Sequence, residues 1–590
     1  MISNQSYKPR EKKHIFKHFN LSTMKKHFLF MSVLASLFMV GCSQEEIAPN
    51  GEENGEAMTS YMAVNLVSSD VMGTRAAQGY EDGSSDENHV AKVRFYFFNG
   101  VGGAVDVKLQ NGSYVNYYDW TPNTANPDET PANPDQSDGT NTNDDIESKL
   151  KATIVINTKT GDGIPQRIAA VLNPTGLDNK SKSLSDLKGI VADYATSGEN
   201  GLTSKGKFVM FNSVGGGGKD FSTTLIEKRH LCKTETEALA NPVTIHVERS
   251  VAKVRVTLDN NLGFTDNKLA LKDKNGKNLN VGGEQVYLQL DGWGLTAETS
   301  EGRLVKKINP NWEGDWWYAS YRSFWAINSM SPTNTNRYHS YNDIKTSFGK
   351  ENVLYTNENA QLTNENGVAG PVKERTKFIL KGKLCKANGD AFTIVRHLGA
   401  HFADSPSETE AENLKELKKS ILGQLSANDY NYYYEKDGGR EQIGTGDLKI
   451  VISTQQENEE SKNNCYVYAQ LTDDAVNKTW YSSSDATETI AATMINENLA
   501  KKEVVDRALV WNSGMTYYYH MIKHLNNQEG VVRNHIYDVK VTKIAGFGTP
   551  VYNPDEIIYP EHPEENDHYI AAQINILSWR VVEEDYELEW

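Results

Sequence analysis

Residues 243–258 read VTIHVERSVAKVRVTL, and this stretch decides the class of fold that the sequence predicts. Valine, isoleucine and threonine dominate it, and apolar residues recur at every second position, which is typical of β-strands. The segment Glu248-Arg249-Ser250 interrupts the pattern and indicates a break in the strand. The same alternation recurs at Val93, Phe95 and Phe97.

Strand patterns of this kind fill both halves of the chain, whereas helical patterns are few. We expect a short helix at Ser183–Tyr194, capped by its first residue, and a longer helix at Ser405–Leu422. In the longer helix, Ser405 fits the cap and Glu408 fits the capping box. The sequence therefore predicts a mainly β protein with two β-sandwich-like, transthyretin-like domains, few short helices and long loops.

The size and charge of the chain limit its class. A chain of 590 residues exceeds a single typical core, so two domains are expected. It has 61 basic and 78 acidic residues, which gives a net charge of −17. A nucleic-acid partner is therefore not expected, because such a partner requires a basic surface. The acidic balance suits a solvated extracellular surface.

The sequence carries no motif of a hydrolase, a zinc protease or a nucleotide-binding enzyme. We therefore predict no enzyme activity, no cofactor and no metal site. His520 and His524 lie four residues apart in a strand-like context, which favours packing in a sheet. Cys232, Cys385 and Cys465 lack the spacing of a zinc site, and their state stays open between buried thiols and a Cys385–Cys465 bridge.

The N-terminal residues have the pattern of an exported lipoprotein. Two lysines precede an apolar run from Phe28 to Val40, which is too short for a comfortable membrane span. The Gly41-Cys42 pair at its end predicts cleavage before Cys42 and attachment of an acyl lipid, diacylglycerol, to its thiol. We expect a signal peptide at residues 1–41, with Met24 as the true start. The alternative is an ordinary secretory signal followed by a coincidental cysteine.

A strand pattern and an exposed basic residue follow this leader. Tyr61–Val67 reads as a strand, and its apolar face consists of Met62, Val64 and Leu66. The pair Arg75-Ala76 then lies in a long stretch rich in glycine, serine and aspartate. Such a segment is a good site for proteolytic cleavage.

Apolar residues also alternate at the C-terminal end of the chain. They are Leu577, Trp579 and Val581, followed by Tyr586, Leu588 and Trp590. Two interpretations stay open for this segment. It forms either the last strands of its own domain or a strand that pairs with another copy of the chain.

Several segments, taken in order, resemble the shaft fimbrillins of Bacteroidales type V pili, in the Mfa-like branch of the minor fimbrium. Residues 247–253 match the segment that closes the first domain in that family, and residues 531–537 match a strand entry of the second. Gly546-Phe547-Gly548 and the run 576–581 complete the match. The resemblance spans nearly the whole chain, with its best matches at 60–77, 247–253 and 530–590.

The resemblance implies a two-domain subunit that reaches the outer membrane as a lipoprotein with its lipid on Cys42. An Arg-specific surface protease would cut between Arg75 and Ala76 and release the strand that carries Met62, Val64 and Leu66. A C-terminal donor strand of another copy would fill the groove that this strand leaves. The six alternating residues at the C-terminus would form that donor strand.

This interpretation divides the chain into five parts. They are a signal peptide at 1–41, a lipidated propeptide at 42–75, domains at 76–260 and 261–568, and a donor segment at 569–590. We predict a shaft pilin of a cell-surface fimbrium that supports adhesion, biofilm formation and colonisation. Its expected partners are copies of itself, anchor and tip fimbrillins, the protease, and a host protein or glycan. The alternatives are a tip or accessory adhesin and a surface glycan-binding lipoprotein. The aromatic cluster at 312–325 would bind sugar rings if it is exposed, but such aromatic side chains more often pack in a core or between domains.

Overall fold

β-Strands form most of the regular structure, and the mainly β fold that the sequence predicts is confirmed. The computed structural model describes residues 59–68, 81, 83–109, 111–122, 150–158, 163–213, 222–307, 336–359, 375–453, 466–524, 528–560, 568–577 and 581–582. All of these residues lie within one compact unit, Ala57–Trp590.

The strands before residue 250 are β1 (Thr59–Ser68), β2 (Val93–Phe98), β3 (Val107–Lys108), β4 (Tyr114–Val115), β5 (Tyr117–Trp120), β6 (Leu150–Asn157), β7 (Arg167–Leu172), β8 (Val191–Ala192), β9 (Met210–Asn212), β10 (Thr224–Leu225) and β11 (Val243–Arg249). Those from 251 to 385 are β12 (Val251–Leu258), β13 (Leu269–Ala270), β14 (Asn280–Val281), β15 (Glu284–Gln285), β16 (Tyr287–Thr296), β17 (Glu298–Thr299), β18 (Gly302–Arg303), β19 (Asn336–Arg337), β20 (Val353–Asn357) and β21 (Lys377–Cys385).

The strands from 394 to 511 are β22 (Ile394–His397), β23 (Ala400–Ala403), β24 (Tyr433–Lys436), β25 (Gly439–Gln442), β26 (Leu448–Ile452), β27 (Tyr466–Leu471), β28 (Trp480–Tyr481), β29 (Thr489–Ile490) and β30 (Ala508–Trp511). The last strands are β31 (Met515–Met521), β32 (Lys523–His524), β33 (Gln528–Glu529), β34 (Ile536–Gly546), β35 (Thr549–Pro550), β36 (His568–Leu577) and β37 (Val581–Val582). The α-helices are α1 (Ser85–Asn88), α2 (Leu184–Lys188), α3 (Glu235–Ala240), α4 (Lys415–Ala427), α5 (Asp473–Val476) and α6 (Ala492–Ala500).

The first hydrophobic core lies on a sheet of order β5-β2-β7-β9-β11-β1-β6, in which β10 also pairs with β7. β2 contributes the aromatic side chains of Phe95, Tyr96, Phe97 and Phe98, all fully buried. Because successive side chains of a strand point to opposite faces, both faces of the sheet are covered at β2.

The second core lies between two five-stranded sheets, of order β20-β12-β34-β36-β37 and β13-β16-β21-β31-β35. Val254 and Val539 of the first sheet belong to the same buried cluster as Trp293 and Tyr518 of the second. This arrangement is a β-sandwich. β12 belongs to it, although the predicted division at 260/261 would assign β12 to the first domain; the domain limits themselves stay a prediction.

A third core is inserted into the second one. β21 pairs antiparallel with β31, from Lys377 opposite Met521 to Lys383 opposite Met515. Most of the chain between these two strands forms its own buried cluster with the sheet β23-β22-β30-β27-β26 and the helices α4 and α6. Ile394, Leu509 and Trp511 of the same sheet belong to the second core. The strand and helix patterns alone do not indicate this insertion.

The two predicted helices exist but are displaced or shortened. α2 begins after Ser183, whose hydroxyl accepts a hydrogen bond from the backbone N–H of Asp186 at 3.1 Å, as predicted for its cap. The longer helix begins at Lys415, so the predicted start at Ser405, with Glu408 in its capping box, is wrong.

Candidate functional site

β1, the strand predicted to be removable, lies inside the first sheet. Its residues Thr59–Leu66 pair antiparallel with β6, with Tyr61 opposite Val155 and Ala63 opposite Thr153. Its residues Val64–Ser68 pair in parallel with β11 on the other edge. β1 therefore has a neighbouring strand on each side.

The predicted apolar face of β1 is part of the first core. The side chains of Met62, Val64 and Leu66 have no exposed surface, and Ala63 on the opposite face is 3% exposed. Burial of the three larger side chains stabilises the fold by roughly 5–9 kcal/mol, at about 1.5–3 kcal/mol each. Loss of β1 would therefore open a deep apolar groove.

Cys232 extends the edge of this groove beyond β11. The backbone N–H of Tyr61 donates to the Cys232 carbonyl at 2.8 Å, and the Cys232 N–H donates to the Tyr61 carbonyl at 2.9 Å. α3 follows directly and packs against β1, and its Ala238 is fully buried. Sequence reasoning missed this edge because no motif surrounds Cys232.

β6 depends on β1 for its place in the sheet. Within the part of the chain that the structure describes, β1 is the only strand that forms a ladder with β6, and one further bridge joins Thr158 to Val107. Removal of β1 would thus leave two edges with unpaired backbone groups, one on β6 and one on β11. Such edges are ready to pair with another strand.

The predicted processing residues Cys42, Arg75 and Ala76 lie outside the described residues. The chain is described again at Glu81, whose carboxylate accepts two hydrogen bonds from the Arg255 guanidinium at 2.7 and 2.8 Å. Partial burial alone would raise the pKa of Glu81, but the hydrogen bonds and charge of Arg255 lower it below its ordinary value. Arg255 also pairs with Asp538 of β34 at 2.9 Å.

A second contact fixes the same part of the chain at α1. The buried carboxylate of Glu87 pairs with Lys253 at 2.8 Å and accepts a hydrogen bond from the Tyr355 hydroxyl at 2.5 Å. Burial opposes the charged form, but the charges of Lys253 and Arg249 lower the pKa of Glu87 below its ordinary value. The chain downstream of the predicted cut is therefore anchored on strands of the second core.

The two segments that carry the family resemblance meet at the junction of the first and second cores. The Arg249 guanidinium lies 3.3 Å from the Asn534 side-chain oxygen, and the Asn534 N–H donates to the Val251 carbonyl at 2.7 Å. Nearby, the buried Arg533 guanidinium pairs with Glu358 at 3.0 Å. These motif residues therefore build a structural junction.

The predicted donor residues fall into two groups. Leu577 lies opposite Ile536 at the end of β36, and Val581 lies opposite Leu577 in β37. Both strands belong to the second core's own sheet, as in the first of the two interpretations left open above. Trp579, Tyr586, Leu588 and Trp590 lie outside the described residues, and the donor role stays a prediction.

The remaining sequence candidates give no second site. His524 is buried and its ring contacts His535 and Tyr537, so it packs in the sheet as predicted. Cys385 is buried, and burial raises the pKa of its thiol. Cys465 and the aromatic cluster at 312–325 lie outside the described residues. The described part of the chain contains no group of three potential metal ligands and no helix long and apolar enough to cross a membrane.

Residues 510–585 match the family model described as "Major fimbrial subunit protein type IV, Fimbrillin, C-terminal". This match covers β31 to β37 and confirms the predicted resemblance to fimbrillins. The matched family model describes the C-terminal part of a fimbrial subunit. No curated protein matches the chain.

Solved structures of adhesion and fimbrial proteins are similar to the chain at low identity. A candidate cell adhesion protein from Bacteroides eggerthii has 11% identity and a TM-score of 0.33, over 90% of this chain and 98% of that one. A second, from Parabacteroides distasonis, has 10% identity and a TM-score of 0.32, over 88% and 96%. The C-terminally truncated tip fimbrial protein Mfa3 from Porphyromonas gingivalis has 10% identity and a TM-score of 0.30, over 88% and 100%.

Proposed function

We propose that this chain, which carries a fimbrillin match at residues 510–585, is a shaft subunit of a fimbrium. It is exported as a lipoprotein with its lipid on Cys42, cut between Arg75 and Ala76, and polymerised by strand exchange. The observation that carries this proposal is the position of β1. This strand is buried in the first core, yet it lies wholly on the N-terminal side of Arg75.

Cleavage would separate β1 from the rest of the subunit without unfolding the new N-terminal segment. After the cut, β1 is held without a covalent link, by hydrogen bonds to β6, β11 and Cys232, by packing against α3 and by the burial of its side chains. Glu81 and Glu87 lie downstream of the cut and keep their ion pairs with Arg255 and Lys253. The mature subunit therefore keeps its anchors and can lose one strand.

The free energy of burial decides how the strand is exchanged. An empty groove would expose the core side chains that pack against Met62, Val64 and Leu66. This exposure would cost several kcal/mol, so β1 stays until another strand replaces it. A strand from the C-terminal end of a second copy supplies the missing backbone partners. Such a contact is head-to-tail, and repetition gives an open filament.

Substitution of Arg75 tests the proposal. Arg75→Ala should give full-length protein with a lipidated N-terminus and no polymer, because β1 stays covalently attached. Arg75→Lys keeps the positive charge and should behave in the same way if the protease is specific for arginine. The measurements are mass spectrometry of the N-terminal peptide and an unheated gel of surface material, and a normal heat-sensitive ladder from Arg75→Ala would contradict the proposal.

A second candidate function is a tip or accessory fimbrillin, which accepts a strand but donates none. The pairing of β36 with β34 in the chain's own sheet favours this candidate. Immunogold labelling of intact fimbriae separates the two functions. A shaft subunit is labelled along the whole fibre, whereas a tip subunit is labelled at one end.

A further inference from the structure

β1 and β36 have matching residue patterns over six positions. Aligned in the same direction and without gaps, the paired residues are Tyr61 and Tyr569, Met62 and Ile570, Ala63 and Ala571, Val64 and Ala572, Asn65 and Gln573, and Leu66 and Ile574. Two positions are identical, three pair apolar residues, and one pairs two side-chain amides. The alternation of the two segments is therefore in phase over six residues.

Each position of β1 has a physical requirement that the β36 sequence meets. Positions 62, 64 and 66 are fully buried and require apolar side chains, which Ile570, Ala572 and Ile574 supply. On the opposite face, Tyr61 and Asn65 are half-buried, and the residues aligned with them are again a tyrosine and an amide, Tyr569 and Gln573.

The position of Ala63 is the most selective. Ala63 is 3% exposed on the face opposite the core, and α3 packs against β1 with its own Ala238 fully buried. A larger side chain at this position would collide with its surroundings, because protein interiors are closely packed. Alanine occupies the corresponding position, Ala571.

We propose that the segment Tyr569–Ile574 of a second copy fills the β1 groove, with Tyr569 taking the place of Tyr61. This inference rests on the proposed strand exchange and specifies its donor and register. The incoming strand runs antiparallel to β6 and parallel to β11, as β1 does. The donor strand is thus β36 itself, and the residues that follow it in the chain extend the contact.

The groove offers this segment more backbone partners than its own sheet does. In its own sheet, Tyr569–Ile574 pairs with β34 along one edge, and β37 pairs with β36 only at Ile576 and Leu577. In the groove the segment would pair along both edges, with β6 on one side and with Cys232 and β11 on the other. These hydrogen bonds restore those that the groove loses with β1, while β34 of the donating copy gives up its pairing with this segment.

Cys232 provides a native reporter of this register. It forms an antiparallel bridge with Tyr61, so a residue in the place of Tyr61 lies within reach of a disulfide with Cys232. The test uses fimbriae sheared from cells that express Tyr569→Cys, oxidised with diamide and boiled without reductant. The expected result is a covalent ladder that collapses on reduction and is absent when Cys232→Ala is added.

Ile576→Cys tests the competing register, in which Leu577, Trp579 and Val581 replace the three apolar residues of β1 and Ile576 replaces Tyr61. A covalent ladder from Ile576→Cys and none from Tyr569→Cys would overturn the proposed register and keep strand exchange. Fibres that form no covalent ladder with either variant would overturn the inference alone. Wild-type chains that are cut at Arg75 yet never polymerise would overturn the proposed function itself.

A second pair of variants covers the case in which a new cysteine disturbs folding. Ala571→Leu should abolish fibre growth, because the groove accepts only a small side chain there. Gln573→Leu, at the half-buried position of Asn65, should leave fibre growth within about twofold of wild type. Circular dichroism of the unassembled chains verifies that both variants fold, and equal fibre growth by both would contradict the inference.

Discussion

At the scale of single residues, buried polar side chains hold the junction between the first and second cores. Arg249 is 2% exposed and Arg533 1% exposed, and both find carbonyl or carboxylate partners. Asn534 takes a left-handed conformation with φ near 57°, which asparagine tolerates better than most residues. The residues that carry the resemblance to fimbrillins therefore have a structural role at this junction.

His524 makes the stability of the protein depend on pH. Burial, with a smaller contribution from Lys306, lowers the pKa of His524 from 6.5 to about 3. The folded chain keeps this imidazole neutral, whereas the unfolded chain protonates it below pH 6.5. Its contribution to stability is therefore complete above pH 6.5 and is lost progressively as the pH falls towards 3.

Urea unfolding at pH 7 and pH 5 measures this effect. His524 should account for about 2 kcal/mol of the loss in the free energy of unfolding between the two pH values, at about 1.4 kcal/mol per unit. His524→Gln removes the titrating group and should reduce the loss by that amount. His401→Gln, at an exposed histidine, is the matched control; an equal pH dependence in wild type and His524→Gln would contradict the assignment.

At the scale of elements, α4 shows why a helix can be predicted and its start missed. The apolar residues Leu417 and Ile421 recur at helical spacing and are buried as the pattern requires. However, the carboxylate of Asp404 accepts hydrogen bonds from the backbone N–H groups of Glu416 and Leu417, at 3.3 and 2.8 Å. The cap is therefore supplied from a distant loop position, which local sequence rules do not consider.

Asp404→Ala should destabilise the third core by about 1 kcal/mol, because it removes the hydrogen bonds that cap the start of α4. Ser405→Ala alters the residue that local rules select as the cap and should change the free energy of unfolding by less than about 0.5 kcal/mol. Thermal or urea unfolding of the two variants compares them directly. A larger effect for Ser405→Ala would restore the cap that the sequence predicts.

Strand predictions are limited in the same way, because sequence patterns consider only residues that are close together in the chain. Alternation identifies β1, and the burial of Met62, Val64 and Leu66 agrees with the predicted apolar face. The neighbours of β1 could not be read from the pattern, since β6 and β11 lie far apart in the chain and pairing depends on the whole sheet. The same applies to Cys232, which reaches Tyr61 only through the fold.

At the scale of the whole molecule, the arrangement of cores explains which parts of the chain can be exchanged. The first core contains a strand that cleavage would detach. In the second core, β36 pairs with β34 along its length but with β37 only at Ile576 and Leu577. The third core is formed by the chain between β21 and β31. These two strands still pair directly with each other. The sequence indicates two domains, but the insertion joins distant strands and leaves no mark in the local patterns.

In the assembled fimbrium, we expect a strand of another copy to occupy the place of β1. A cryo-electron microscopy reconstruction of intact fimbriae, at a resolution that distinguishes side chains, tests this claim directly. We predict that the strand between β6 and β11 belongs to the neighbouring subunit and carries the side chains of Tyr569–Ile574. Density for the subunit's own Met62, Val64 and Leu66 in that position, continuous with the rest of its chain, would contradict strand exchange.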